Sequence, residues 1–345
     1  MKEFEFIDRV MPDVPPPSPA QVAAVRARIA TEAAGSRRAA PAARGRGWRG
    51  VVLAAAAVAL VIAAIVVMVP RTGVRQVAAT PERLLELAAA KLAAQPQGAG
   101  RYWRLETEEI LRSKDEGDYT VENRGRDVLV IGRDNSRYTW FESVSAKPYS
   151  TEDTEAWKRS GSPRLCPARG CDKNLRFYPR RDPEHVLALA DGWEPTVKEV
   201  LALPREAKAL KAELLRHRSA SSELSPDDWV LQTGARLVRD VPAAPGTRAA
   251  VYRMLATMPG VSVLDDVRDP MGRQGVTLQL PTRGADRVQL VIDPRSGELL
   301  AVQHMAPMPG LPQGVPWSAS IIKKAGWSDA RPVPPPNCDG CASRH

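Results

Sequence analysis

Histidine, cysteine and aromatic residues are scarce in this chain, and each scarcity removes a class of function. The four histidines, His185, His217, His304 and His345, are scattered, and none is spaced to share a metal ion with a neighbour. They read as surface or satisfied structural residues. Aromatic residues make up 5% of the chain, and no dense basic run is interleaved with them, so direct nucleic-acid binding is not expected despite a net charge of +9. G-x-S-x-G, H-E-x-x-H, Walker, G-x-G-x-x-G, EF-hand and kinase motifs are all missing, as is any N-x-[ST] acceptor. Asp227-Asp228 and Asp265-Asp266 are adjacent acidic pairs. Adjacent strand residues face opposite ways, so such pairs read as turn or edge residues rather than a two-carboxylate site. No catalytic, cofactor-binding or metal-binding residue is therefore expected, no cofactor is called for, and the chain reads as non-enzymatic.

What the sequence does contain is a run of 19 apolar residues without a charge, Val51 to Val69. As a helix it is roughly 28 Å long, close to the hydrocarbon thickness of a bilayer. It holds eleven Val, Leu or Ile, each of which favours insertion. Arg37, Arg38, Arg44, Arg46 and Arg49 precede it closely, against Arg71, Arg75 and Arg83 after it. That bias places the amino terminus in the cytoplasm and the bulk of the chain outside, in a single-pass plasma-membrane protein, with Trp48 at headgroup level. A cleaved signal peptide ending near Val77-Ala78-Ala79 is the alternative, but the apolar run exceeds an h-region and about 50 residues precede it.

Cysteine placement agrees with this orientation. Cys166, Cys171, Cys338 and Cys341 all follow the span, in two close pairs. In an oxidising exterior, close pairs read as local disulfides. Cross-paired bridges, a four-thiolate zinc site and free or redox thiols are the other readings.

Residues 1–47 read as two short helices and a linker. Phe4, Ile7, Val10 and Met11 share one helical face, and Val22, Val25 and Ile29 another, behind Ser18 and Pro19 as cap and first residue. Two short helices cannot bury these stripes alone, so they are candidate partner-binding residues, with a weakly helical solvated tail as the other reading. Residues 33–47 form the linker, and 48–70 the membrane helix with its flanks.

After the span, Thr80 caps a helix beginning at Pro81, with Leu84, Leu85, Leu87 and Leu92 on its apolar face. Strands follow at Arg101–Leu111, Tyr119–Glu122, Asp127–Ile131 and Arg137–Glu142. Residues 143–180 read as irregular. Helices are expected at Pro183–Ala190, Val197–His217, Asp227–Leu231 and Pro245–Met258. Four more strands, Val261–Val267, Val276–Leu280, Arg287–Ile292 and Glu298–His304, form a meander whose last turn is Asp293-Pro294-Arg295-Ser296-Gly297. Trp103, Trp140, Trp157, Trp193 and Trp229 are expected to anchor cores. The fold class is α+β: one transmembrane helix plus an extracytoplasmic domain, residues 71–305, of antiparallel β-meanders packed with helices. A sub-boundary is placed near 180–245, and residues 306–345 read as a proline-rich, partly disordered tail.

Several segments resemble a family of uncharacterised single-pass membrane proteins of high-GC Gram-positive bacteria, often encoded beside extracytoplasmic-function sigma factors. They are Met11 to Pro17, the basic-flanked span, Tyr102-Trp103, Ala156-Trp157 with Gly161-Ser162-Pro163, Tyr178-Pro179 with Asp182-Pro183, Arg248 to Val261 and Asp293 to Leu300. The resemblance covers most of residues 8–305. It implies an envelope-sensing transmembrane regulator, anti-sigma-like, whose cytoplasmic segment takes a sigma factor as partner. The alternative is an extracytoplasmic module binding a lipid or cell-wall fragment, with the span as a tether. An apolar concavity between helices and meander would favour that alternative. The lipid bilayer is a partner in either case, with an envelope ligand of unknown identity.

Overall fold

The computed structural model describes residues 79–333, apart from 115–117, 166–175, 182–186, 188, 191–192 and 283. Contacts divide the chain into Met1–Arg75 and Gln76–His345, and every described residue belongs to the second unit. The expected span, the apolar stripes of residues 4–29 and all four cysteines lie outside the described residues. Among the described residues no helix is long and apolar enough to cross a membrane.

The unit is α+β. Nine antiparallel strands make one sheet: β1 (Tyr102–Lys114), β2 (Thr120–Gly132), β3 (Ser136–Pro148), β4 (Arg176–Arg181), β5 (Ser262–Arg268), β6 (Gln274–Pro281), β7 (Arg287–Ile292), β8 (Leu299–Met305) and β9 (Ser318–Ser328). Their order is β4-β3-β2-β1-β9-β8-β7-β6-β5. The two expected meanders are therefore halves of a single sheet, joined where β9 pairs with both β1 and β8. This corrects the expectation for residues 306–345, since a central strand lies inside the supposed tail. The prolines before it hide the alternation of Ala319 with Ile321, and a register shift then turns Trp327 to the other face, beside Trp103.

Six helices accompany the sheet: α1 (Pro81–Ala93), α2 (Thr151–Arg159), α3 (Val197–Ala202), α4 (Ala207–Arg216), α5 (Pro226–Arg239) and α6 (Pro245–Ala256). Their starts follow local chemistry. Thr80, Ser225 and Ser150 accept backbone N–H bonds at their helix starts, and Thr196 with Glu199 forms a capping box. Three sequence expectations fail here. Residues 143–180 contain α2 and β4, Val197–His217 is split at Pro204 into α3 and α4, and the described part of 183–190 is an Ala190–Trp193 bridge, not a helix. A proline removes a helical donor and restricts the residue before it, which accounts for the split.

One core joins the helical layer to the inner face of the sheet. Leu85, Ala88, Ala89 and Leu92 of α1, Trp229 of α5, Val251, Tyr252 and Leu255 of α6, and Val276, Leu278 and Leu290 of the sheet belong to it. Trp229 is fully buried and its indole N–H donates to the Leu214 carbonyl at 3.1 Å. Gly234 lets α6 lie close to α5, because a Cβ there would meet Leu255, Met254 and Val251 within 3.4 Å. Trp103, Trp140 and Trp193 are also buried, as expected, whereas Trp157 is half-buried and donates to the Pro163 carbonyl. The turn at Asp293–Gly297 forms as expected, with the Gly297 N–H on the Asp293 carbonyl and Gly297 at φ +78.

Candidate functional site

The helices rest chiefly on the β5–β8 half, where α1 meets β5 and β6, α6 meets β6 and α5 meets β8. Over β1–β3 the cover is thinner, and a hollow of about 380 Å³ lies there. Strand alternation and register explain its lining. Trp103, Leu105, Thr107 and Glu109 share the inner face of β1. Opposite Leu105 stands Leu129 and then Thr139, opposite Thr107 stands Asp127, and opposite Glu109 stands Ser320. The roof is Leu187 with Arg239, Asp240 and Val241 at the end of α5. The hollow is thus graded. Leu105, Leu129, Ile131, Leu187 and Val241 make its apolar end, where Arg137 stands opposite Ile131, and Glu109, Asp127, Arg239 and Asp240 make its polar side.

Glu109 accepts from the hydroxyls of Thr107 and Ser320, each at 2.6 Å. Arg239 donates to Asp240, its Nη2 lying 2.9 Å from Oδ2. The Asp127 carboxyl is pushed above its ordinary range, first by burial and then by the charge of Glu109, against the pull of the Val128 N–H and Arg137. Burial would lower the Arg239 guanidinium, but the hydrogen bond and charge of Asp240, with Glu109, hold it raised. A buried carboxyl with a raised proton affinity is the raw material of acid–base chemistry. Here, however, both Glu109 oxygens are taken by hydroxyls, and among the described contacts no Ser, Thr or Cys is activated by a histidine.

The inner face continues past the hollow as an apolar rim. Leu111 follows Glu109 on β1, and Phe141 follows Thr139 on β3; they are 46% and 45% exposed. The Phe141 ring lies across Gly125, where an added Cβ would stand 2.4 Å from it. A second hollow of about 330 Å³ lies beside the first over β6–β8, under Leu231, Ala235, Arg236 and Arg239 of α5.

None of these groove residues was singled out by motif or spacing, because they come from four strands and a helix end. One signal was present: Thr107 and Glu109 interrupt a core stripe on β1, and Asp127 does the same on β2. Among the described residues no group of three or more His, Cys, Asp or Glu is placed to hold a metal. His217 stacks on Trp193 at 4.4 Å, and His304 faces Asp286 at 3.8 Å, as structural residues. Asp265-Asp266 sits on the exposed edge strand, as expected, whereas Asp227-Asp228 lies in the first turn of α5, where the Asp228 N–H donates to the Ser225 hydroxyl. No protein-family profile matches this chain, and neither does any curated protein or solved structure.

Proposed function

We propose that residues 81–328 form an extracytoplasmic module that binds one amphipathic molecule, tethered by the Val51–Val69 helix with residues 1–47 in the cytoplasm. The observation that carries this reading is the hollow of about 380 Å³ between sheet and helices, a volume typical of small-molecule sites. Its graded lining suits an apolar tail at the leucine end and a hydrogen-bond-donating head at the carboxylates. Glu109, Asp127 and Asp240 outnumber Arg137 and Arg239, so a hydroxyl-bearing or ammonium head is preferred to an anionic one. The exposed Leu111 and Phe141 form a separate apolar lip on the carboxylate side of the hollow. A lipid carrying a sugar, or a lipid-linked wall fragment, has this chemistry. No cofactor enters the reading.

The test is titration of the full chain, held in amphipol, with dodecyl maltoside below its micelle concentration. Saturable binding is expected, weakened at least about tenfold by Thr139→Trp, which fills the hollow. Dodecyl sulfate is expected to bind at least about tenfold more weakly. Absence of saturable binding, or the reverse head-group order, rejects the reading. The tether is tested separately: protease added to spheroplasts should digest the carboxy-terminal body, and carbonate should leave the chain in the membrane.

A second proposal comes from the apolar stripes Phe4/Ile7/Val10/Met11 and Val22/Val25/Ile29, which fit a segment that folds on a cytoplasmic partner such as a sigma factor. Replacing Ile7 and Val25 by Asp should abolish co-purification of that partner. Unchanged recovery rejects regulation through this segment.

A further inference from the structure

We infer that Arg239 sets the length of chain the groove accepts, as a displaceable partition between two halves of one trough; this builds on the amphiphile-binding reading above. Three hollows, of about 380, 330 and 30 Å³, are all lined by Arg239. Among the described residues it is the one that the first two share. They meet across the β8–β9 pair, where Ser320 on the floor of the first stands opposite Val302 on the floor of the second. The second hollow has an apolar floor, Leu280, Val288 and Val302, beneath Leu231 and Ala235, with Arg236 and His304 at its edge. It suits a hydrocarbon tail. The head-group acceptors stay in the first.

What holds the partition is local. Among the described residues the guanidinium hydrogen-bonds to Asp240, the next residue in the chain, and is otherwise attracted by the charge of Glu109. No hydrogen bond ties it to the sheet across the trough. A pair between neighbours on one helix end leaves the stem free to change rotamer, and its methylenes can lie along an entering chain while the charge stays wet. A ligand whose tail fills the first hollow would then gain further burial only by turning Arg239 aside. Removing the side chain joins two hollows of nearly equal volume.

The experiment uses the full chain in amphipol, with amphipol alone as blank, and n-alkyl maltosides of eight to fourteen carbons (a range on the order of the ~0.8 kcal/mol-per-methylene series). For the wild type, affinity should rise about fourfold per methylene and then level off as the first hollow fills. Arg239→Ala should extend the rise by several carbons, and Arg239→Lys should restore the wild-type limit. Asp240→Asn, which frees the partition without removing it, should extend the rise less, and it serves if Arg239→Ala melts too low to assay. A limit unchanged in both Arg239→Ala and Asp240→Asn overturns the partition while leaving the amphiphile reading standing. No saturable binding by the wild type at any length overturns the amphiphile reading itself.

Discussion

Breaking the buried ion pair between Arg112 and Glu122 should cost very different amounts depending on which partner is removed. The pair lies on the outer face of the sheet, with side chains 7% and 5% exposed and Nη2 2.7 Å from the Glu122 carboxylate. Arg112 also donates to the Pro316 carbonyl, stacks over Tyr149 at 5.0 Å, and receives the Trp317 carbonyl on its backbone N–H at 2.7 Å. It therefore fastens the 306–317 connection to the sheet. Glu122→Ala strands this guanidinium in a dry site, a loss of about 3–5 kcal/mol. For a domain of this size that is a fall in Tm of roughly 6–20 °C. Arg112→Met is milder, because Glu122 keeps Arg124 at 2.8 Å and Lys147 at 4.0 Å, so about 2 kcal/mol is expected. Arg112→Met with Glu122→Leu should recover most of the loss, since an apolar pair of similar volume often matches a buried ion pair. Urea unfolding and calorimetry of the four proteins measure the cycle. Equal losses for the two single variants, or a double variant as unstable as Glu122→Ala, would refute the claim that an unpartnered buried charge is what costs. The pair also sets an acid limit. Burial raises the Glu122 carboxyl, but hydrogen bonds from Arg124 and Arg112 outweigh it and hold it below its ordinary 4.5. Its stabilisation is thus complete above pH 4.5 and is lost as pH falls towards the lowered folded value. Glu122→Ala should flatten that part of the stability curve.

Three further outcomes follow from single sites. Gly297→Ala should lose at least about 2 kcal/mol, because an L-residue at φ +78 is strained and its Cβ would stand 2.2 Å from the Ala88 carbonyl of α1; a change under 0.5 kcal/mol by urea titration would contradict it. Thr233→Val should stabilise by about 1 kcal/mol, since the Thr233 hydroxyl is buried in α5 without a hydrogen-bond partner among the described residues; a lower Tm in calorimetry would show that the hydroxyl is satisfied. Asp127→Asn should raise Tm at pH values above the ordinary carboxylate range, because folding places the Asp127 carboxyl where its charged form is disfavoured. That gain should shrink as pH falls through the raised folded value and vanish below the ordinary 3.8, and a pH-independent gain would point to packing instead.

Period-two alternation made seven of the nine strands legible in the sequence, and β7 matches its expected bounds, Arg287–Ile292, to the residue. The first helix start was legible at Thr80-Pro81, where a cap and a proline coincide, whereas the helix expected at Asp227–Leu231 runs Pro226–Arg239 behind a Ser225 cap that was not read. The signals for α2, Ser150 with Asp153, were equally present, but the surrounding prolines and glycines outweighed them. β9 was hidden for the same reason, and with it the pairing that fuses two meanders. Pairing of β1 with β9 joins residues more than 200 positions apart, and no local pattern encodes it. The site followed the same rule. Glu109, Asp127 and Arg239 are unremarkable one by one and acquire meaning only when β1, β2 and the end of α5 come together.

The groove is a consequence of layer arithmetic. Nine strands at about 4.8 Å spacing make a sheet roughly 38 Å wide, whereas each helix covers a band of about 10 Å. Of the helices, α1, α5 and α6 rest on the β5–β8 half, α2 touches β3, and α4 leans on α5 and α6 instead. Three such bands, two of them meeting on β6, cannot span that width, and the hollow lies over β1–β3, where the cover is thinnest. An uncovered inner face could be capped by loops with apolar residues, as Leu187, Leu189 and Trp193 do near Trp103. Further along β1 and β2 the stripe switches instead to Thr107, Glu109 and Asp127, residues that make a poor core and a good acceptor surface. Asp127 is held there with its carboxyl raised, against its own ionisation. Such a carboxylate belongs either to a functional groove or to an accidental gap in the cover. Asp127→Asn separates the two: in a functional groove it gains stability and loses ligand, whereas in a mere gap it gains stability and changes nothing else.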